Sequence, residues 1–246
     1  MAGVTISGLH HAYNGTTVPA VDGLDLQIPS GSFFGLLGPN GAGKTSTISI
    51  ISGLIKPKVG TVQVDGKTWN TDSKLIKQSI GLVPQEIALY DSLTATENLN
   101  FFGSSYGLGV TTIKTRIEEL MVSFGLEDHQ KKPIEAFSGG MKRRVNLMVA
   151  LLHNPKILIL DEPTVGIDVH SRLMINTYLK KLNEGGMTMI YTSHQLEEAE
   201  KLCDQLAIMD YGKVIAEGET QELLSQTEGQ TLNDVFIHHT GNKLRD

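Results

Sequence analysis

Eight consecutive residues have the types and the spacing of a phosphate-binding loop, G-x-x-x-x-G-K-[ST]. They are Gly38, Pro39, Asn40, Gly41, Ala42, Gly43, Lys44 and Thr45. The glycines let the backbone turn tightly and point successive N–H groups inward, which makes a concave site for anionic oxygens. Lys44 adds a cation that can reach the outer phosphates, and the Thr45 hydroxyl can bind Mg²⁺. This stretch therefore predicts binding of a nucleoside triphosphate.

The flanking residues put this loop between a strand and a helix. An apolar run, residues 33–37, precedes the loop and is typical of a buried strand. From Ser46 to position 51 we expect a helix whose positive amino-terminal end also faces the phosphates. This context favours a phosphate site over a glycine-rich turn that happens to precede a lysine.

Two carboxylates, Asp161 and Glu162, follow a second apolar run that is typical of a buried parallel strand. Ligands of parallel sheets bind beyond the carboxyl ends of the strands, so this pair should meet the phosphate loop. We expect Asp161 to hold Mg²⁺ and Glu162 to activate a water molecule as general base. The alternative is an Asp that caps a helix and a Glu on the surface. The presence of the phosphate loop favours the catalytic interpretation.

A third stretch, Ser138-Gly139-Gly140, precedes a predicted helix. A helix amino terminus of this kind can bind an anion. An ordinary helix start with Ser138 as N-cap explains the same residues. The residue types alone do not decide between these two interpretations.

The hydrophobic pattern predicts an α/β chain that begins with short strands. Residues 4–37 and 60–67 are rich in strand signals, with turns at Asn14-Gly15 and Asp65-Gly66. A helical block spans about 86–153, where apolar residues at 113, 117, 120, 121 and 124 share one helix face. Strands and helices then alternate, which predicts a parallel sheet with crossover helices. Two short helices are expected after residue 220, and residues 241–246 are expected to fray.

Composition narrows the class of protein. The net charge of −6 argues against a general nucleic-acid surface. The single cysteine, Cys203, excludes a disulfide framework and favours a reducing compartment, and we expect it to fill apolar space. The start of the chain lacks a signal-peptide pattern, and no apolar run is long enough to cross a bilayer. His238 and His239 are adjacent, which is not a metal-ligand spacing.

The order of the separated motifs resembles that of ABC-type ATPases. It runs from the phosphate loop through Gln85, the Ser-Gly-Gly stretch and Asp161-Glu162 to His194, and the resemblance covers about 4–218. It implies a P-loop NTPase fold with a RecA-like parallel sheet core, an N-terminal antiparallel β subdomain and an inserted α-helical subdomain. The implied ATP-binding domain is 4–235, with the helical part at about 86–153, and 236–246 form a C-terminal tail.

The resemblance also implies roles for particular residues. In the family two subunits pair head to tail, and each ATP lies between one phosphate loop and the partner's Ser-Gly-Gly. By similarity, Ser138, Gly139, Gly140 and Asp168 would contact the nucleotide across the dimer. Gln85 would touch Mg²⁺ or the attacking water, and His194 would hold the γ-phosphate. Tyr13 would stack on adenine, with a buried core tyrosine as the alternative and His11 as a possible substitute.

One motif departs from the family pattern. Phe137 and Met141 stand where Leu and Gln are usual, so any hydrogen bond from that glutamine side chain is lost. Met141, followed by Lys142-Arg143-Arg144, resembles a subgroup of exporters for drugs, lipids or polysaccharides. The residues that contact phosphate are retained, and we expect activity to be retained with them.

The first functional hypothesis is the ATP-hydrolysing subunit of an ABC transporter, peripheral on the cytoplasmic face of the membrane. Its cofactors would be ATP and Mg²⁺, and its partners a membrane-spanning permease and a second ATP-binding subunit, with a homodimer expected. The permease would dock near Gln85, where Ile87, Leu89 and Tyr90 could instead pack on the helical block. The second hypothesis is a soluble ABC-type ATPase acting on nucleic acid or ribosomes. The single phosphate loop and the lack of a long coiled coil favour the transporter, so no nucleic-acid partner is expected.

Overall fold

The computed structural model describes residues 2–229 and 231–241, in which ten strands form two sheets. The strands are β1 (Ala2–His11), β2 (Val21–Pro29), β3 (Phe33–Leu37), β4 (Val59–Val64), β5 (Lys67–Thr68), β6 (Ile80–Val83), β7 (Ile157–Asp161), β8 (Thr188–Ser193), β9 (Gln205–Asp210) and β10 (Lys213–Glu219). The helices are α1 (Lys44–Ile51), α2 (Trp69–Ser79), α3 (Ala95–Ser105), α4 (Val110–Ser123), α5 (Gly139–Leu151), α6 (Val169–Glu184), α7 (Leu196–Leu202), α8 (Thr220–Ser225) and α9 (Leu232–Thr240).

The larger sheet positions the candidate site. Its order is β10-β9-β3-β8-β7-β6, and all neighbouring pairs are parallel except β10 with β9. Every residue of β3, β7 and β8 is buried, as continuous apolar runs predict for parallel strands covered on both faces. The carboxyl ends of these three adjacent strands therefore lie side by side at one edge of the sheet. The chain segments that leave them are the phosphate loop, Glu162 and His194.

The smaller sheet is antiparallel, with the order β2-β1-β4-β5. Its apolar residues alternate toward a core that also holds Phe34 and Leu36 of β3, so the sheet packs over one face of the parallel sheet. The predicted Asp65-Gly66 turn joins β4 to β5, and Asn14-Gly15 lies in a turn between β1 and β2. The predicted antiparallel subdomain is confirmed, because all three strand pairs of this sheet are antiparallel.

The helical block lies between β6 and β7 and contains α3, α4 and α5. The predicted face of α4 is confirmed, because Ile113, Ile117, Leu120 and Met121 are all buried. The start of α3 is fixed by a capping box, in which Thr94 accepts from the Glu97 N–H while the Glu97 carboxylate accepts from the Thr94 N–H. These helices share a continuous core with the face of the parallel sheet that points away from the smaller sheet.

Two helices of the structure differ from the predicted ones. Helix α2 was not expected from the sequence, since Ile76 is its only fully buried residue and its remaining pattern is polar. The sequence pattern predicts a helix that begins at Lys142, whereas helix α5 begins at Gly139, three residues earlier, because Ser138 caps it. The predicted tail boundary at 235/236 falls inside α9, where Phe236 is buried.

The carboxyl-terminal part and the cysteine agree with the sequence. Helices α8 and α9 are the two short helices expected after residue 220. Residues 242–246 of the stretch expected to fray lie outside the described residues. Cys203 is buried, and desolvation raises the pKa of its thiol, as befits a residue that fills apolar space. In the described ranges no helix is long and apolar enough to cross a membrane.

Candidate nucleotide site

The phosphate loop leaves β3 and enters α1 through backbone angles that require glycine. Gly38 has φ +144° and Gly43 has φ +103°. A Cβ atom on Gly38 would lie 2.2 Å from the Met209 carbonyl oxygen, and one on Gly43 would lie 2.2 Å from that of Ala20. Both glycines are therefore needed for conformation and for space. Gly41, with φ +79° and open space beside it, contributes only the conformation.

Lys44 is the buried cation of this loop. Its Nζ donates hydrogen bonds to the carbonyl oxygens of Gly38, at 2.7 Å, and Pro39, at 3.1 Å. The same Nζ lies 3.9 Å from Oε1 of Glu162. Burial lowers the pKa of Lys44, while the charges of Glu162 and Asp161 act in the opposite direction. The loop thus holds a desolvated ammonium group at its centre, where it can reach a bound phosphate.

Asp161 ends β7 and is held by the neighbouring strand. Thr192 of β8 lies opposite it in the register and donates from its hydroxyl to Asp161 Oδ1 at 2.6 Å. Desolvation raises the pKa of Asp161, and hydrogen bonds from Thr192 and Thr45 oppose that shift. The bond to Thr45 joins the strand end directly to the start of α1. Two of the three predicted Mg²⁺ ligands, Asp161 and Thr45, are therefore adjacent.

Glu162 is the common partner of residues from three separate parts of the chain. Its Oε2 accepts from Gln85 Nε2 at 3.1 Å, and its Oε1 lies 3.0 Å from His194 Nδ1. Lys44 approaches the same carboxylate, and the Glu162 N–H donates to the Thr192 hydroxyl at 3.1 Å. Glu162 is buried, and its backbone φ is +46°, which is uncommon for a residue other than glycine. The predicted catalytic residues thus converge on one carboxylate.

Thr192 was missed by the sequence interpretation, although it contacts the Asp161 carboxylate and the backbone of Glu162. Its hydroxyl donates to Asp161 and accepts from the Glu162 N–H. No motif marks it in the sequence, because it is one of three Thr or Ser residues of β8. Only the parallel register of β7 and β8 brings Thr192 opposite Asp161.

Tyr13 lies at the rim of the phosphate loop. Its hydroxyl is 3.1 Å from the Ser46 hydroxyl, and its side chain is 45% exposed. The alternative of a buried core tyrosine is therefore wrong. His11, which is buried, meets the Tyr13 ring edge to face at a centroid distance of 5.1 Å. The exposed face of Tyr13 is available for stacking on a planar group.

Ser138, Gly139 and Asp168 are exposed, and they lie at two helix starts that pack together. Ser138 caps α5 by accepting from the Met141 N–H, and Asp168 caps α6 by accepting from the Ser171 N–H at 2.9 Å. A Cβ atom on Gly140 would lie 2.2 Å from the Ser171 hydroxyl oxygen, so glycine is required where α5 meets α6. Among the described residues, no hydrogen bond or ion pair joins Ser138 or Asp168 to Glu162. The helix-cap interpretation of Ser138 is confirmed, and this surface is separate from the Glu162 cluster.

The segment after Gln85 combines packing with exposure. Leu89 packs against the core of the helical block, as one of the two alternatives predicted. Tyr90 is about half exposed and contacts the exposed Phe101 ring edge to face at 5.0 Å. This segment therefore presents an aromatic surface next to the residue that contacts Glu162.

Comparison with known proteins decides the family. The ABC transporter family profile matches residues 21–165, which is more than half of the chain. This chain belongs to the ABC transporter family. As a member of that family it is an ATP-binding subunit and an ATP hydrolase that energises transport. The comparisons give no support to the alternative of a soluble ATPase acting on nucleic acid or ribosomes.

The similar ABC proteins include components of resistance and export systems. The chain is 51% identical over 226 residues to the linearmycin resistance ATP-binding protein LnrL of Bacillus subtilis, covering 92% of this chain and 72% of LnrL. It is 39% identical over 229 residues to the daunorubicin/doxorubicin resistance ATP-binding protein DrrA of Streptomyces peucetius, covering 93% and 69% of the two chains. It is 39% identical over 233 residues to the Nod factor export ATP-binding protein I of Ralstonia nicotianae, covering 95% and 72%.

Solved structures of ABC subunits share the whole fold. An ATP-binding subunit of an ABC transporter superposes with a TM-score of 0.86 at 27% identity, covering 96% of this chain and 99% of the other. A dimeric ATP-binding cassette in a post-hydrolysis state, bound to ADP and Pi, gives a TM-score of 0.80 at 29% identity, covering 88% and 98%. The P-loop NTPase fold predicted from the motifs is confirmed.

Proposed function

We propose that Glu162 is the general base for ATP hydrolysis in this ABC subunit. The observation that carries the proposal is the convergence of Lys44, Gln85 and His194 on its buried carboxylate. A buried carboxylate beside a phosphate loop can orient and deprotonate an attacking water. Lys44 stabilises negative charge on the outer phosphates, Gln85 positions the water or the metal, and His194 binds the γ-phosphate.

The residues around Thr45 fit a magnesium ion. Thr45, Asp161 and Gln85 offer one hydroxyl, one carboxylate and one amide oxygen, and Asp161 already contacts Thr45. Mg²⁺ in such sites is held by one or two protein carboxylates together with substrate phosphates and water. When bound, the ion neutralises charge on the β- and γ-phosphate oxygens. Thr192 keeps Asp161 in place through its 2.6 Å hydrogen bond.

The remaining nucleotide contacts come from the loop and from Tyr13. The phosphate loop from Gly38 to Ser46 surrounds the phosphates with its backbone N–H groups, which every residue except Pro39 provides, and the Tyr13 ring stacks on adenine. The exposure of that ring and its contact with Ser46 support this role. The bounds 4–235 for the ATP-binding domain, with its helical part at about 86–153 and a tail at 236–246, stay a prediction.

The dimer supplies the second half of each site. In this proposal Ser138, Gly139, Gly140 and Asp168 contact the nucleotide held by the other subunit. The exposure of these helix starts and their separation from Glu162 support contacts made between chains. A similar cassette is dimeric, and we propose that this chain forms a homodimer.

The transported substrate moves outward through a separate permease, according to the proposal. Similar proteins are named for resistance to linearmycin, for resistance to daunorubicin and doxorubicin, and for Nod factor export, which supports an exporter. The subunit lies on the cytoplasmic face of the membrane and meets the permease through the surface around Ile87, Leu89 and Tyr90. The exposed contact of Tyr90 with Phe101 supports docking at this place.

Replacement of Glu162 tests the chemical core of the proposal. Glu162→Gln removes the base but keeps a side chain of the same size, so ATP hydrolysis should fall by about 10²–10⁴-fold. ATP should still bind and should hold two subunits together, which size-exclusion chromatography with ATP measures. Glu197→Gln, at an exposed position of α7, is the matched control and should hydrolyse ATP normally. Normal turnover by Glu162→Gln would remove Glu162 from the role of general base.

A further inference from the structure

The segment that carries Gln85 is tied to α5 by three side chains of that helix. Arg143 donates from Nη1 to the Pro84 carbonyl at 3.0 Å and from Nη2 to the Gln85 carbonyl at 2.7 Å. The Asn146 side-chain oxygen accepts from the Ala88 N–H at 3.3 Å. Further along, Lys142 forms an exposed ion pair with the Asp91 carboxylate at 2.8 Å. The backbone of this segment is therefore held along one face of α5.

Arg143 is the buried member of this set, with only 5% of its surface exposed. Burial lowers the pKa of its guanidinium, and the nearby charge of Asp161 acts in the opposite direction. A planar guanidinium can hold two consecutive carbonyl groups at once, which the single ammonium of lysine cannot do with the same geometry. Arg143 thus fixes the orientation of the peptide groups on both sides of the Gln85 α-carbon.

That orientation decides where the Gln85 side chain goes. From this backbone position, Gln85 Nε2 reaches Glu162 Oε2 at 3.1 Å. Helix α5, which carries Arg143, begins with Gly139 and Gly140, directly after the Ser138 cap. Arg143 lies one turn into this helix. Its side chain therefore joins the start of α5 to the backbone of Gln85.

We propose that Arg143 is a positioning residue that couples the start of α5 to Gln85 and, through Gln85, to the Glu162 carboxylate. This inference rests on the function proposed above for Glu162 and Gln85. When the second subunit's nucleotide engages Ser138 and α5 shifts, Arg143 carries the Gln85 backbone with it. Hydrolysis at one nucleotide then depends on the placement of α5 by the other nucleotide of the dimer.

Arg116 offers a matched control inside the same chain. It also uses its guanidinium on consecutive carbonyl groups, donating from Nη2 to Leu151 at 2.9 Å and from Nε to Leu152 at 3.4 Å. These carbonyls are at the opposite end of α5, so Arg116 contacts the same helix with the same chemistry. In the described part of the chain no hydrogen bond or ion pair joins Arg116 to Gln85. If a loss of ATP hydrolysis reflects only the packing of α5, substitution of either arginine should cause it.

The experiment compares Arg143→Lys with Arg116→Lys in the purified full chain. Both changes keep the charge and remove the planar fork. We expect Arg143→Lys to lower kcat for ATP hydrolysis about tenfold through misplacement of Gln85, while KM for ATP changes by less than about twofold. Arg116→Lys should leave both constants at the wild-type values. In a Gln85→Ala background, Arg143→Lys should add less than about a twofold further loss, because both changes act on one group.

Several results would overturn the inference. Unchanged kcat in Arg143→Lys does so, as does an equal loss in Arg116→Lys or a full tenfold loss that persists in the Gln85→Ala background. If Arg143→Lys does not fold, Asn146→Ala releases the same segment at Ala88, and its kcat decides in the same way. If Glu162→Gln loses hydrolysis while Arg143→Lys keeps the wild-type kcat, the inference about Arg143 is wrong and the proposed function stands. A wild-type chain without ATPase activity, or normal turnover in Glu162→Gln, removes the proposed function.

Discussion

The two halves of the proposed nucleotide site differ in what holds them. Lys44 is buried at the start of α1, and Asp161 and Glu162 are buried at the end of β7, where each contacts another charged or polar group of the site. Ser138 and Asp168 are exposed at the starts of α5 and α6, where each is bonded to its own helix. The side chains of the first half are buried and paired with one another within one chain. Those of the second half are exposed on the surface.

The difference teaches which half depends on a second molecule. A buried cluster of charges is costly unless its members are paired, so the sheet must fix Lys44 and Glu162 before any partner arrives. Exposed helix starts can stay satisfied by water and by their own caps, and they are free to meet a phosphate from another chain. Hydrolysis should therefore need both chains, while nucleotide binding should need only one.

The largest expected effect concerns binding by the buried half. Lys44→Ala removes a charged hydrogen-bond donor to phosphate, which should weaken ATP binding about 10–100-fold. Isothermal titration with ATP checks the dissociation constant at protein concentrations that keep the chain monomeric. Unchanged affinity would contradict the assignment of the phosphate loop. Ser138→Ala is the matched control, and its monomer should bind ATP as the wild type does.

Mixing two inactive variants tests whether the halves meet across a dimer. Lys44→Ala and Ser138→Arg chains should each hydrolyse ATP poorly as homodimers. In an equal mixture, a heterodimer has one site built from an unchanged Lys44 and an unchanged Ser138, so about a quarter of the wild-type rate should return for random pairing. A steady-state ATPase assay of the mixture measures this recovery. No gain over the separate variants would place all contacts within one chain.

Stability should separate the two halves in the same way. Thr192→Val removes the hydroxyl that contacts both Asp161 and the Glu162 N–H and should lower the free energy of unfolding by about 1–3 kcal/mol. Ser138→Ala removes one exposed cap and should cost about 1 kcal/mol. Denaturant unfolding of both variants measures the difference. A greater loss in Ser138→Ala would contradict the contrast between a fixed core and an exposed surface.

The smallest expected effect is the pH dependence of the cap on α6. The hydrogen bonds from the backbone and the hydroxyl of Ser171 lower the pKa of Asp168 in the folded chain. The carboxylate therefore adds stability above its pKa in the unfolded chain, and this contribution is lost as the pH falls through the lowered folded pKa. Asp168→Asn should reduce the melting temperature slightly near neutral pH and not at acidic pH. An equal reduction at both pH values would show that charge is not the cause.

Sequence reasoning recovered the elements that have a strong local pattern. The buried strands β3 and β7, the face of α4 and the turn at Asp65-Gly66 were all predicted, because each is marked by an apolar run, a helical period or a turn pair. Helix α2 escaped prediction, since one fully buried residue, Ile76, gives no period to detect. The start of α5 was placed too late because glycines disfavour helix, although the Ser138 cap overrides that preference here.

The sequence by itself determined the phosphate loop, the Asp161-Glu162 pair and the α/β class, because each depends on neighbours along the chain. Tertiary structure alone decided that Thr192 donates a hydrogen bond to Asp161 and that Arg143 donates one to the Gln85 carbonyl. It also decided that Gln85, His194 and Lys44 all lie at the Glu162 carboxylate. These contacts join residues that are far apart in sequence, and they follow from strand register and helix packing. Local pattern carries no information about such distances, since register and packing are fixed only when the whole core closes.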